Sequence, residues 1–232
     1  NVAPADLSVN GSVATSVSGT GAGPYDFSGF AAPTTAPVVV DLAAGTIQDL
    51  DTNPFGGASW LHPNVVINEL HYHPADPNGD AEFIELLNAG SIPADISGWL
   101  LDFGPVPFQF PGATTLPAGG VTVVAMNPTL LQTLTGYLAP HQWLAGALSN
   151  SGELITLSIS LGVEADRVDY GDQNDPPWPA EPDGAGPSLE LIHPSLDNTL
   201  PLAWKASVAA DGTPGASNST FDAGPIVIVE SP

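Results

Sequence analysis

From residue 65 onward the chain alternates short apolar runs with clusters of turn-forming residues. Val65, Val66 and Ile67 lead a predicted strand to about Tyr72, and a second runs from Glu82 to Asn88. In the second, the period of two puts Ile84 and Leu86 on one face and Phe83, Glu85 and Leu87 on the other, so both faces are partly apolar. Further strands are predicted at Trp99–Phe103, Val106–Phe110, Val121–Met126, Glu153–Ile159, Glu164–Tyr170 and Ser188–Ile192, separated by Pro and Gly turns in the manner of a sandwich. One helix interrupts them. Asn127 is suited to cap it, Pro128 fits its first position, Leu130, Leu131 and Leu134 share a face, and Gly136 can close it. The helix is expected to pack on a sheet edge.

Before residue 60 the coding is weaker. Ser, Thr, Gly and Ala dominate, with β-prone stretches at Leu7–Val17 and Ala36–Leu50, and Asn10-Gly11 between short alternating runs signals a two-residue hairpin. The pattern divides the chain into a β-rich N-terminal extension or partial domain (1–60), a sandwich (61–222) and a C-terminal linker or exchanged strand (223–232).

Composition narrows the choice of partners. Twenty-five Asp and Glu face two cations, Arg167 and Lys205, for a formal net charge of −23. Binding to nucleic acid phosphates draws on Lys and Arg, which this chain almost lacks, and anionic membrane surfaces are disfavoured for the same reason. No apolar run is long enough to span a bilayer. Most carboxylates must be solvated, screened or metal-bound, which suits a salty or calcium-rich exterior. The absence of cysteine removes disulfides and thiolate chemistry. The first residue is Asn1 and the only Met is Met126, so the chain is expected to be a processed or partial product.

The segments Val66–Leu70, Glu82–Asn88, Ile96–Leu100, Leu116–Gly120, Leu148–Glu153, Val168–Asp172, Ser188–Leu191 and Gly212–Asn218 occur in an order that resembles bacterial lamin-tail domains, over about residues 64–219. The resemblance implies an all-β, immunoglobulin-like sandwich with one short helix. It also implies an accessory or surface module of secreted proteins, with no catalytic residue set of its own. Trp99, after Gly98, is placed to anchor the core, and Pro117 to Gly120 reads as a turn. Some eukaryotic relatives are linked to chromatin, a role that the missing cations argue against here.

Candidate chemistry is acidic. Asp76, Asn78, Asp80 and Glu82 offer oxygens at every second position of a loop, as calcium favours, although Gly79 and Leu87 break the EF-hand spacing. An acidic solvated loop explains the same residues. A second group, Asp169, Asp172 and Asp175 with Glu181 and Asp183, surrounds Trp178, and either local Asx-turns or calcium account for it. Trp178 is a candidate sugar-stacking platform, with a core role as the alternative. His71 and His73, two apart, are possible zinc ligands. There is no Gly-x-Ser-x-Gly elbow or phosphate cradle, and Glu82 and Glu85 are spaced to point apart. Asn10 and Asn218 open glycosylation-type triplets.

The expected function is therefore a non-enzymatic, secreted or cell-surface structural module, calcium-stabilised, meeting protein partners or itself through edge strands. Ala36–Asp41 and Gly224–Glu230 are the strands suited to addition. The alternatives are a calcium-dependent carbohydrate- or matrix-binding module, with glycans as partners, and an accessory domain of a larger secreted hydrolase.

Overall fold

The computed structural model describes residues 2–21, 24–31, 38–45, 47–48, 52–62, 65–76, 78–159 and 163–223, with backbone alone for 59–62. The expected strand Gly224–Glu230 lies outside that set. So do Ala36 and Pro37.

The N-terminal part is a four-stranded sheet of β1 (Leu7–Val9), β2 (Ser12–Val13), β5 (Val38–Leu42) and β6 (Ala58–His62) in the order β2-β1-β5-β6, beside a two-stranded ribbon of β3 (Ser16–Ser18) and β4 (Asp26–Ser28). The Asn10-Gly11 hairpin is present: Val9 pairs with Ser12, and both turn residues have positive φ, 48° and 76°, as the primed turn of a two-residue hairpin requires. Val38–Leu42 pairs with β1 on one side and β6 on the other, so its ladder is filled and it cannot be donated to a neighbour.

The sandwich follows. A six-stranded sheet runs β14-β13-β8-β7-β17-β18, built from β7 (Val65–His71), β8 (Phe83–Asn88), β13 (Val121–Ala125), β14 (His141–Gln142), β17 (Pro187–Leu191) and β18 (Trp204–Ala210). Opposite lies the sheet β11-β10-β15-β16, from β10 (Leu100–Asp102), β11 (Phe108–Gln109), β15 (Glu153–Ser158) and β16 (Glu164–Tyr170). A small pair, β9 (Ala94–Asp95) with β12 (Thr115–Leu116), completes the strands. Between the two sheets Ile84, Leu86, Leu189 and Leu191 meet Leu101, Ile155, Leu157 and Val168, with Trp99, Trp143 and Trp204 at the margins. Each large apolar side chain so buried contributes about 1.5–3 kcal/mol. This is the expected immunoglobulin-like all-β architecture.

The six-stranded sheet is covered on its outer face too. The helix α1 (Pro128–Thr135) starts as predicted, with Asn127 Oδ1 accepting Leu130 N–H at 3.1 Å. It does not sit on a sheet edge. Leu131 packs with Phe83, Val123 and Ala125, which point away from the main core, while Leu134 is 42% exposed, so the shared apolar face shrinks to one fully buried residue. The other half of that face is covered by the segment after β18.

Candidate functional site

Two places gather titratable groups. The first is the loop between β7 and β8. Asp76 organises it: Oδ2 accepts Asn78 N–H (3.2 Å) and Asp80 N–H (3.1 Å), and Oδ1 accepts Ala81 N–H (3.2 Å). Glu82 Oε2 accepts Leu148 N–H at 2.7 Å, tying the loop to the approach of β15. A pocket of about 500 Å³ opens between them, lined by His73, Asp76, Asn78, Glu82, Leu148 and Asn150. His73 Nδ1 lies 2.6 Å from Asp183 Oδ1. Burial pushes Glu82 up to about 8, opposed by the Leu148 hydrogen bond and reinforced by Glu153, Asp76 and Asp80.

Asp76, Asn78 and Glu82 thus share a pocket, whereas Asp80 is not among its lining residues. The second predicted set does not converge. Asp169 is exposed on β16, opposite Leu154. Asp172 holds an Asx-turn by accepting Asn174 N–H (2.8 Å) and its side-chain amide (2.9 Å), and Asp175 lies on a turn that its carbonyl closes onto Trp178 N–H. Trp178 is 7% exposed and packs against Trp204 with centroids 6.5 Å apart, a core position that leaves no free face for a sugar ring. His71 and His73 part company: the ring nitrogens of buried His71 face the carbonyls of Gly186 and Ala81, and burial lowers its pKa. Among the described residues no group of three or more His, Asp or Glu is placed to hold a metal.

The second place was not foreseen. Glu85 on β8 stands opposite Glu69 on β7, and Glu69 opposite Glu190 on β17, so three carboxylates form a row across adjacent strands, all buried. Between Ile67 and Glu69 the register shifts, and this bulge lets Asn68 as well as Glu69 face outward. The backbone N–H of Ile67, at the start of the bulge, donates to Asp166 Oδ2 at 2.6 Å, and burial pushes that carboxyl up to about 6.

The segment 212–220 lies over the row as a strap. Thr213 N–H donates to Glu69 Oε1 (2.7 Å), Gly215 N–H to Glu85 Oε2 (2.7 Å), and Ser219 and Thr220 N–H to the two oxygens of Glu190 (3.0 and 2.9 Å). Ser188 Oγ–H adds 2.5 Å to Glu69, and Asn68 Nδ2–H adds 2.8 Å to Glu85. Gly212 and Gly215 have positive φ, and a Cβ would strike Glu69 at the first and the Tyr137 ring at the second. Burial, then the charge of Glu85, pushes Glu69 up to about 8; burial pushes Glu85 up to about 7. Asn218 is buried and bonded to Asn68 and to the Leu191 carbonyl, so the side chain that would accept the glycan is hidden, while Asn10 is exposed.

The signal for this row was present in the sequence as Glu85 between Ile84 and Leu86 and Glu190 between Leu189 and Leu191: charged residues inside strands apolar enough to be covered on both faces.

Compared with known families, residues 61–172 match the model described as Lamin Tail Domain. No curated protein matches the chain. The match ends after β16, but β17, β18 and the strap belong to the same six-stranded sheet and its cover.

Proposed function

We propose, for a chain whose residues 61–172 form a lamin-tail-type, immunoglobulin-like module, that the protein is a non-catalytic structural or interaction module of a secreted or cell-surface assembly. One observation carries this reading. Raised pKa values, which can mark acid–base residues, occur here at Glu69, Glu82, Glu85, Glu153 and Asp166, of which Glu82 lines the β7–β8 pocket, and each of these carboxyls accepts a backbone N–H of the protein itself: Thr213, Leu148, Gly215, Ser149 and Ile67. These hydrogen bonds hold the protein's own backbone in place. The exterior setting draws its support from the excess of 25 acidic residues over two cations.

Self-assembly is supported by the edge strand β18, where Val208 stands exposed, with Leu202 just before it. Light scattering on the full chain and on one ending at residue 223 tests this. The expected result is an oligomer that the deletion shifts toward monomer; an unchanged mass refutes strand addition through the tail.

Calcium belongs to the same reading, at the pocket where Asp76, Asn78 and Glu82 meet. Because Asp76 already accepts three backbone amides, the ion would use its remaining lone pairs with Asn78 and Glu82. Calcium at a hundredfold excess over its Kd should stabilise the fold by about 2.7 kcal/mol, and Asn78→Ala should remove most of that. A melt insensitive to both calcium and chelator removes calcium from the proposal.

A further inference from the structure

We propose that the strap is a proton-controlled latch: Glu69 and Glu85 hold Gly212–Ala216 against the outer face of the six-stranded sheet while at least one of the two is protonated, and ionisation of both releases that stretch.

The geometry supplies the reason. Side chains directly opposite on neighbouring strands have Cβ atoms about 4.5–5.5 Å apart, where like charges repel, and Glu69 has such a neighbour on each side. Neutralising charge is scarce. The groups facing the row are Tyr137 beside Glu85, the hydroxyls of Ser188, Thr213 and Ser219, and the amides of Asn68 and Asn218. His71 lies two residues along β7 with its pKa lowered by burial, and Asp211, at the strap's start, adds negative charge near it. The one cation in register is Lys205, opposite Glu190 on β18 and exposed.

The strap's ends are held differently from its middle. Asp211 N–H donates to the Gly186 carbonyl and Asp222 N–H to the Ile192 carbonyl, both independent of pH in this range. Asn218 is likewise fixed by its amide bonds to Asn68 and Leu191. Between Asp211 and Asn218, among the described residues, the strap is bonded to the sheet by Gly212 N–H to the Ala209 carbonyl (3.4 Å), next to the first post, and otherwise by Thr213 and Gly215 to Glu69, Glu85 and Glu190, so release is confined to a bow between two fixed posts. Gly215 and Ala216 also form one wall of a groove of about 510 Å³, whose other sides include Leu87, Gly119, Val121 and Phe221. Opening the bow dismantles that wall.

Both carboxyls are raised above their ordinary value of 4.5, to about 8 and about 7. The closed strap is therefore fully favoured below pH 4.5 and loses that advantage as pH rises through 7 to 8.

Amide hydrogen exchange on the full chain, corrected for intrinsic rates, tests the latch. Between pH 6 and pH 9.5 the protection of Thr213 and Gly215 should fall by about tenfold or more, with β8 and β13 amides falling clearly less. Glu69→Gln should abolish most of the fall. Flat protection at Thr213 and Gly215, an equal loss across the whole sheet, or an undiminished fall in Glu69→Gln overturns the proposal. Should that variant not fold, the wild-type comparison of Thr213 with the fixed-post amide of Asp222 decides: equal losses refute the bow.

Discussion

The two halves of the molecule hold together by different means. Among described residues 2–58 the only buried side chains are Asp6 and Ala14, so the N-terminal sheet rests on strand pairing and turns. The sandwich buries residues from both faces of its larger sheet: aliphatic and aromatic side chains inward, a helix and a carboxylate-held strap outward. Strand pairing alone is marginal in water, whereas a sheet covered on both sides gains hydrophobic burial twice. The lesson is that similar strand content conceals very different local stability.

The largest expected effect comes from the ends. Ending the chain at Asp211 uncovers Glu69, Glu85 and Glu190 and removes both their amide donors and the Asn218 bonds to Asn68 and Leu191, and cooperative unfolding of the sandwich by circular dichroism should be lost. Removing residues 1–57 should leave it intact, and a collapse of the sandwich there would break the comparison. Next, Leu70→Ala or Ile84→Ala, both fully buried, should cost about 2–5 kcal/mol in urea unfolding. Val13→Ala, exposed on β2, should stay within about 0.5 kcal/mol. Glu85→Ala strands the Gly215 N–H and should cost about 1–3 kcal/mol. Smaller still, Asn127→Ala removes the helix cap for about 1 kcal/mol.

A pH series sharpens the same contrast. Glu69, Glu82, Glu85 and Asp166 all have raised values, so the stability they confer is complete below about pH 4 and disappears as pH rises through 6 to 8. Thermal melts of the sandwich should therefore fall from pH 5.5 to pH 9, and Glu69→Gln should flatten the slope.

Much of this was legible from residues in local register. Glu164–Tyr170 is a strand with the bounds expected, and Asn127, Pro128 and Gly136 frame the helix as predicted. The hairpin at Asn10-Gly11 follows from turn chemistry alone. What escaped was either weakly coded or assembled from afar. β18 reads as alanine and serine around Trp204 and Val208, a composition with little strand preference. For Trp178 the residues leave a sugar platform and a core role both open, and the packing against Trp204 decides for the core. The carboxylate row joins Glu69, Glu85 and Glu190 through strand order, which no local pattern encodes.

The strap's position also has a bearing on how the chain is made. β7 and β8 leave the ribosome before the strap, carrying Glu69 and Glu85 in strands built to be covered, and their amide donors arrive 144 and 130 residues later. For that interval the nascent sheet has an uncovered, hydratable stripe that opposes tight collapse. Final consolidation therefore waits on the last-made part of the module, and a translation product lacking it has no partly finished native state to settle into.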